Sequence, residues 1–272
     1  MPEGDTLWQV AAKLQAALAG DRVLRFSSPL PELKEQELEG KRVVRARAHG
    51  KYAIIEFDDG RALLSHLRMQ GRWLVMQKAQ LAPDRLARLT REPRWDDERT
   101  TLKLETESVL AILEHAAIAE LAPLAEIERK LSTLGPDLLS ESFDLEEACA
   151  LLRGSPELTI AEALLRQSLV AGAGNVYKSE VLFLEKVSPF SAVGELDDAT
   201  LARILRRARE LLRRNRRGPR RTTGSFAGTP YYVYERSGEH CLKCDTTIQM
   251  RRQGALQRST YYCPECQGVR ER

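Results

Sequence analysis

Two stretches of the sequence, one at each end, have residue types and spacing that could do chemistry. The chain opens Met1-Pro2-Glu3-Gly4. Cells remove an initiator Met that precedes a small residue, which would leave Pro2 as a free secondary amine with a carboxylate one residue away. A free α-amino group titrates at roughly 7.7–8.0, against about 10.4 for Lys, so a useful fraction is neutral and nucleophilic near pH 7 without deep burial. A secondary amine that attacks a sugar C1′ and expels its substituent gives a cationic iminium directly. Glu3 is placed to move the protons that such a step needs. Alone, Pro-Glu is also an ordinary polar chain start, so the rest of the sequence has to supply the context.

At the other end stands Cys241-x2-Cys244-x18-Cys263-x2-Cys266. Each CxxC pair can turn two thiolates toward one ion, and the residues between the pairs suit a β-hairpin. Four Cys with no open position describe a closed structural Zn2+ site rather than a catalytic one. Five Cys in all, four of them paired in spacing, fit a reducing compartment and a metal better than disulfides. Cys149 is left over and suits a helix core. His240 adjoins Cys241, but the ligand set is already full. His49 and His66 lack partners at ligand spacing and suit ordinary structural roles.

The elements that must hold these ends are legible from pattern. Asp5 or Thr6 can cap a helix running to about Leu18, with Leu7, Val10, Ala11, Leu14 and Leu18 as its apolar stripe and Gly20 as its stop. This helix would fix the N-terminus, as a nucleophile requires. Short β-rich segments follow at Arg42–Ala48, Tyr52–Phe57, Ala62–Leu67, Arg72–Met76, Thr101–Glu105 and Val109–Glu114, with Asp58-Asp59-Gly60 as a hairpin turn. They predict an antiparallel sandwich or barrel. The stretch 79–99 is charged, carries Pro83 and Pro93, and reads as a loop or a short helix. From about Ala122 the pattern turns helical, at Ala125–Leu134, Leu145–Leu152, Ile160–Ser168, Val176–Lys186 and Asp198–Asn215.

Within the helical half, Gln167 to Tyr177 contains Gly172 and Gly174 in a tight turn. Asn175 sits where it can cap the next helix, and exposed amides at such a helix start suit a phosphate. An ordinary helix-turn-helix corner has the same spacing. Arg213 to Arg221 holds six Arg in nine residues and reads as a basic helix end entering the Gly/Ser/Thr-rich loop Thr222–Thr229, suited to unspecific phosphate attraction or to solubility. Charge is unevenly spread: from Leu201 onward, 17 Lys+Arg face 6 Asp+Glu, whereas the first 200 residues carry 25 against 33. A basic C-terminal third suggests a polyanion, usually nucleic acid. With 43% apolar and 30% charged residues, no apolar run of membrane-spanning length and no signal-peptide pattern, a cytoplasmic protein with no membrane partner is expected.

Taken together, Met-Pro-Glu-Gly, the β segments, Gln-x7-Asn across an Ala-Gly-x-Gly turn, and Arg-Ser-Thr-Tyr-Tyr-Cys-Pro-x-Cys-Gln resemble the formamidopyrimidine-DNA glycosylase/endonuclease VIII family of base-excision repair enzymes. The resemblance spans nearly the whole chain in the right order. It implies a multidomain α and β fold: an N-terminal β-sandwich catalytic domain with an anchoring helix (1–118), a linker and first helix (119–134), a helical domain with a helix–two-turn–helix (135–228), and a zinc-ribbon β-hairpin (229–272). It implies a catalytic set of Pro2 as nucleophile, Glu3 as general acid/base, and Lys51 and Arg258 on phosphates around the lesion. Asn175 and Gln167 belong to the helix–two-turn–helix that meets the DNA backbone. Met69, in His66-Leu67-Arg68-Met69-Gln70-Gly71, resembles the wedge that fills the gap left by an extruded base. Cys241, Cys244, Cys263 and Cys266 would hold one structural Zn2+.

Two departures bear on substrate. The guanine-repair branch carries an Asp-Pro-Arg-Arg-Phe-Gly-like segment, of which Glu92-Pro93-Arg94-Trp95 is only a faint echo. The start reads Pro-Glu-Gly-Asp-Thr, closer to the endonuclease VIII branch. The resemblance therefore implies a bifunctional glycosylase/AP lyase for oxidised pyrimidines in double-stranded DNA, acting as a monomer in a bacterial-type, nucleoid-associated cytoplasm. The same chemistry on oxidised purines, a non-catalytic zinc-finger DNA-binding protein, and an RNA- or ribosome-associated zinc protein are the competing expectations. The spacing between the Cys pairs is slightly longer than the family's usual pattern, which bears on the reach of Arg258.

Overall fold

Short β-rich segments, the central ones buried at nearly every position, pair in the N-terminal half as two antiparallel four-stranded sheets. This computed structural model describes residues 2–34, 36–91, 99–218, 221–224 and 229–269. The strands are β1 (Arg25–Ser27), β2 (Val43–His49), β3 (Tyr52–Phe57), β4 (Arg61–His66), β5 (Arg72–Gln77), β6 (Thr100–Glu105), β7 (Val109–Glu114) and β8 (Ile118–Pro123). One sheet runs β1-β6-β7-β5 and the other β2-β3-β4-β8. A single apolar core joins them: Ala53, Ile55, Phe57 and Leu63 from one sheet, and Phe26, Leu104, Ala111 and Leu113 from the other. Two sheets sharing one core make the expected sandwich.

Helix α1 (Gly4–Leu18) lays Leu7, Leu14 and Leu18 into that same core, which is why it anchors the chain start. Gly20 stops it with φ +91, as its sequence position suggests. The helix begins at Gly4, however, two or three residues earlier than a cap at Asp5 or Thr6 would place it. Asp5 lies inside it and is buried, so it is a core carboxylate and not the cap. The β3–β4 turn falls at Asp58-Asp59-Gly60, with Gly60 at φ +82. Short helices α2 (Pro31–Lys34), α3 (Pro83–Leu89) and α4 (Leu124–Leu131) complete this part. Glu92–Trp95 lies outside the described residues.

The chain divides into two units, Met1–Pro2 with Thr6–Ser132, and Glu3–Asp5 with Thr133–Arg272. In the second unit lie α5 (Leu145–Arg153), α6 (Ile160–Ala163), α7 (Asn175–Leu184), α8 (Asp198–Asn215) and the hairpin β9 (Gln249–Gln253)–β10 (Arg258–Tyr262). Asp144 caps α5 by accepting from the amides of Glu146 and Glu147, and Asp197 caps α8. Helix α6 is much shorter than its sequence predicts. Its Thr159–Glu162 capping box starts a helix, but after one turn the backbone folds back so that Gly135 donates to the Gln167 carbonyl. Helix α7 is buried on nearly all sides, and every residue from Val176 to Phe183 is inside. Cys149 is half-buried on α5.

Candidate active site

The start of α7 is where the most distant parts of the chain converge. Glu3 is wholly buried, and its carboxylate accepts from the amides of Gly174 (2.7 Å) and Val176 (2.9 Å). The amides expected to be open for phosphate at this helix end are therefore taken by an internal carboxylate, which the partial positive charge of a helix N-terminus favours. Gly174 is the N-cap and makes no side-chain bond; Asn175 is the first helical residue, one position past where it could cap. A Cβ on residue 174 would stand 2.6 Å from Glu3 Cδ, so the carboxylate occupies space that only glycine leaves. The preceding turn is held by Gln167: its amide donates to the carbonyls of Leu165 and Ala173 and accepts from the amide of Gly172. Gly172 has φ +105, and its carbonyl accepts from Gly4 (2.9 Å), which pins the backbone next to Glu3.

A second buried carboxylate steadies the same segment. Asp5 accepts from Arg221 Nε (2.7 Å) and from Tyr177 Oη (3.0 Å), and Asn215 Nδ2 donates to that phenol oxygen (2.9 Å). The Arg221 guanidinium also lies 4.0 Å from Glu3 and stacks over the Tyr177 ring. Burial opposes its charge most, but the Asp5 bonds and the charges of Glu3 and Asp5 together outweigh it and raise its pKa. Burial also pushes the Tyr177 phenol well up. Arg221 is thus one arginine of the basic run that serves the interior. Arg213 and Arg216 approach Glu141 at 3.9 and 3.8 Å.

Two further charged residues of α7 were not singled out by sequence, because a lone Lys or Glu in a helix defaults to solvent. Lys178 is buried and donates to the Ser259 carbonyl (2.7 Å) and Thr260 Oγ1 (2.8 Å) on β10, with Asn175 Oδ1 at 3.4 Å. Burial pushes its ammonium down to about 7; Glu3 works against that shift and Arg258 with it. Glu180, also buried, accepts from the amides of Tyr232, Val233 and Tyr234, each at 2.8 Å, and from the Thr223 hydroxyl. Burial raises its pKa, and these donors oppose the shift. Arg258 opens β10 opposite Gln253 and is exposed.

In the first unit, half-buried Pro2 precedes Glu3 directly. Lys51 sits in the two-residue Gly50-Lys51 turn between β2 and β3, with Gly50 at φ +55. Tyr52 pairs with His66, so this turn and the Leu67–Gly71 turn lie at the same end of the sheet. Met69 is the apex of the latter and is 67% exposed. The turn is closed by Gly71 donating to the Leu67 carbonyl (2.9 Å), and Arg68 takes a left-handed φ of +47. A Cβ at Gly71 would stand 2.5 Å from that carbonyl oxygen. His66 accepts from the Arg68 amide and meets the Tyr52 ring edge-on. Burial, then Lys51 and Arg68, push it down to about 4, which favours the neutral imidazole.

The four paired cysteines meet with their sulfurs all within 4.8 Å of one another. Cys241–Cys266 is 3.8 Å, and Cys244–Cys263 and Cys244–Cys266 are 3.4 Å. A tetrahedron of Zn–S bonds near 2.3 Å has edges of about 3.8 Å, so the cage fits one such ion and none of these pairs is a disulfide. His240 turns its ring to the Asp245 carbonyl and stays outside the set.

Comparison with known proteins agrees with this architecture from end to end. The family model for the formamidopyrimidine-DNA glycosylase N-terminal domain matches residues 1–114, and that for the formamidopyrimidine-DNA glycosylase H2TH domain matches residues 134–224. A probable endonuclease 8 2 of Streptomyces coelicolor is 37% identical, covering 98% of this chain and 94% of the relative. The DNA-(apurinic or apyrimidinic site) lyase Nei2 of Mycolicibacterium smegmatis is 36% identical over 98% of this chain and 99% of its own. Among solved structures, Lactococcus lactis formamidopyrimidine-DNA glycosylase non-covalently bound to DNA containing an abasic site has a TM-score of 0.78 at 26% identity, covering 97% of this chain and 99% of that one. The two family models together match most of the chain, the relatives cover nearly all of it, and the chain belongs to the formamidopyrimidine-DNA glycosylase family.

Proposed function

We propose that this protein is a bifunctional DNA glycosylase and AP lyase of base-excision repair that removes oxidised pyrimidines through a covalent Pro2 intermediate. The observation that carries this reading is the anchoring of Glu3. A carboxylate adjacent to the N-terminal amine is buried and fixed by two backbone donors, as an acid/base group beside a nucleophile must be. With Met1 removed, the Pro2 amine attacks C1′ of the damaged nucleotide and loses its proton as the C1′–N bond to the base breaks; the C1′–O4′ bond then opens, O4′ taking a proton relayed by Glu3, and the Pro2 nitrogen lone pair closes the C1′ iminium. The resulting iminium acidifies C2′. Loss of a C2′ proton expels the 3′ phosphate, and a second elimination expels the 5′ phosphate.

The nucleotide has to leave the stack for this chemistry, and exposed Met69 is the apolar group suited to fill the gap. Lys51, Asn175 and Arg258 are assigned to phosphates, which set register without reading sequence. Gln167 serves the same DNA-facing element by holding its turn closed. In this division of labour the sandwich brings the nucleophile, Lys51 and the wedge; residues 135–228 and 229–272 bring the helix–two-turn–helix and the finger. The cysteine cage takes one structural Zn2+, which folds the finger and performs no step. The substrate is damaged duplex DNA in a bacterial-type cytoplasm, met by a monomer. Among the described residues, no helix is long and apolar enough to cross a membrane.

The Pro-Glu-Gly-Asp-Thr start and the relatives named endonuclease 8 support pyrimidines over purines. Borohydride trapping on duplexes carrying an abasic site, an oxidised pyrimidine or 8-oxoguanine tests both halves of the proposal. An adduct mapped to Pro2, strongest with the pyrimidine, is expected. Strongest trapping on 8-oxoguanine would reverse the substrate assignment. Absence of any adduct from DNA-binding protein that has lost Met1 would remove the mechanism.

A further inference from the structure

Lys178 is a buried cation whose hydrogen bonds all go to neutral acceptors: the Ser259 carbonyl and Thr260 hydroxyl of the finger strand, and the Asn175 side-chain oxygen on its own helix. Among the described residues, no carboxylate lies within ion-pair distance of it. A lone buried ammonium is costly, and a Lys at this helix position needs a use that offsets the cost. Its partners indicate that use. Ser259 directly follows Arg258, and Asn175 is one helical turn before Lys178 on α7. The amine therefore ties together the two residues assigned to phosphates on the helix–two-turn–helix and on the finger.

The geometry points to a specific consequence. With Asn175 Oδ1 turned toward the ammonium, the Asn175 amide group presents its N–H donors outward, the orientation a phosphate oxygen requires. The bonds to Ser259 and Thr260 hold the start of strand β10, whose first residue is Arg258. We propose that Lys178 is a positioning residue that sets Asn175 and Arg258 in register as one phosphate clamp, acting on DNA binding and not on the bond-breaking step. This inference rests on the phosphate roles given to Asn175 and Arg258 above.

The test uses full-length, zinc-loaded protein and two readouts. One is Kd for a duplex with a tetrahydrofuran abasic analogue; the other is the single-turnover cleavage rate of an abasic duplex at saturating enzyme. Lys178→Met should raise Kd about tenfold, the scale of coupling within one hydrogen-bond network, and leave the saturated rate within about twofold. Lys178→Arg, which keeps the charge and donors, should recover part of the affinity. In an Asn175→Ala/Arg258→Ala background, adding Lys178→Met should change Kd by less than about twofold, because nothing remains to position. A full further loss in that background, or a fall in the saturated rate with Kd unchanged, would overturn the proposal. If the Asn175→Ala/Arg258→Ala protein binds like the parent, the phosphate assignments fail and the positioning role falls with them. If those variants weaken binding and Lys178→Met does not, only the positioning role falls. Should Lys178→Met lose zinc, Thr260→Val decides: weakened binding at full zinc content supports the proposal, and parental binding overturns it.

Discussion

The amide of Val176 donates to the carboxylate of Glu3 across 173 positions of sequence, at 2.9 Å. The third residue of the chain is thereby seated on the first turn of a helix two-thirds of the way along it. Helix α7 is the post for other buried groups of its unit as well: Tyr177 meets Asp5, Lys178 meets the finger hairpin, and Glu180 meets the turn at 232–234.

Replacing Glu3 by Gln should abolish base removal, with a loss of roughly 10²–10⁴ in single-turnover rate, the scale of general acid–base catalysis. One of the two α7 amides would then face an N–H group, costing about 1–3 kcal/mol of stability. Cleavage assays on the lesion duplex and thermal melting check both parts.

Gly174→Ala should inactivate through Glu3. The new methyl would stand 2.6 Å from the carboxyl carbon, so the carboxylate has to leave its seat. Activity should fall far more than melting temperature, and duplex binding should persist. Full activity in this variant would refute the fixed position of Glu3.

Chelation should unfold the finger and leave the sandwich folded. The cage sits among Phe183, Val233 and Ile248, a core too small to hold itself, whereas zinc in such sites supplies on the order of 10 kcal/mol or more. Circular dichroism should change modestly, DNA binding should be lost, and added zinc should restore it.

Affinity for duplex should fall steeply with salt. Lys51→Ala and Arg258→Ala should each reduce the slope of log K against log salt by about 1, since each releases one counterion fewer. Titrations at several salt concentrations measure the slopes.

Lys178 should leave a mark on the pH dependence of stability. Its folded-state value is about 7 against 10.5 when unfolded, with Glu3 and Arg258 as the charged groups that act on it. Between these values the unfolded chain binds the extra proton, so stability from this group rises with pH from about 7 to 10.5 and its penalty is complete below 7. The slope difference between the parent and Lys178→Met should approach about 1.4 kcal/mol per pH unit at most within that window. Denaturant unfolding at pH 7 and pH 9 provides the comparison.

What could be read without a structure was whatever is local. The short apolar, β-rich runs at Tyr52–Phe57 and Val109–Glu114 mark strands, since strands buried on both faces read as short apolar runs. The CxxC pairs mark a metal cage, since two thiolates at that spacing turn to one side. Pro2 and Glu3 stand out because they are adjacent. Strands β1 and β8 escaped, because one is only three residues long and the other ends in Pro123 against β4, where pairing and not pattern makes the strand. The seat of Glu3, the Asp5–Arg221 pair and the roles of Lys178 and Glu180 were decided only by tertiary structure. A charged residue in sequence defaults to solvent, and whether it can be buried depends on donors and acceptors that chain folding brings from far away. Asp5 read as a cap and Arg221 as one more surface arginine for that reason. The sequence alone determined which groups the protein has for its chemistry; the packing around α7 determined which of them are held still.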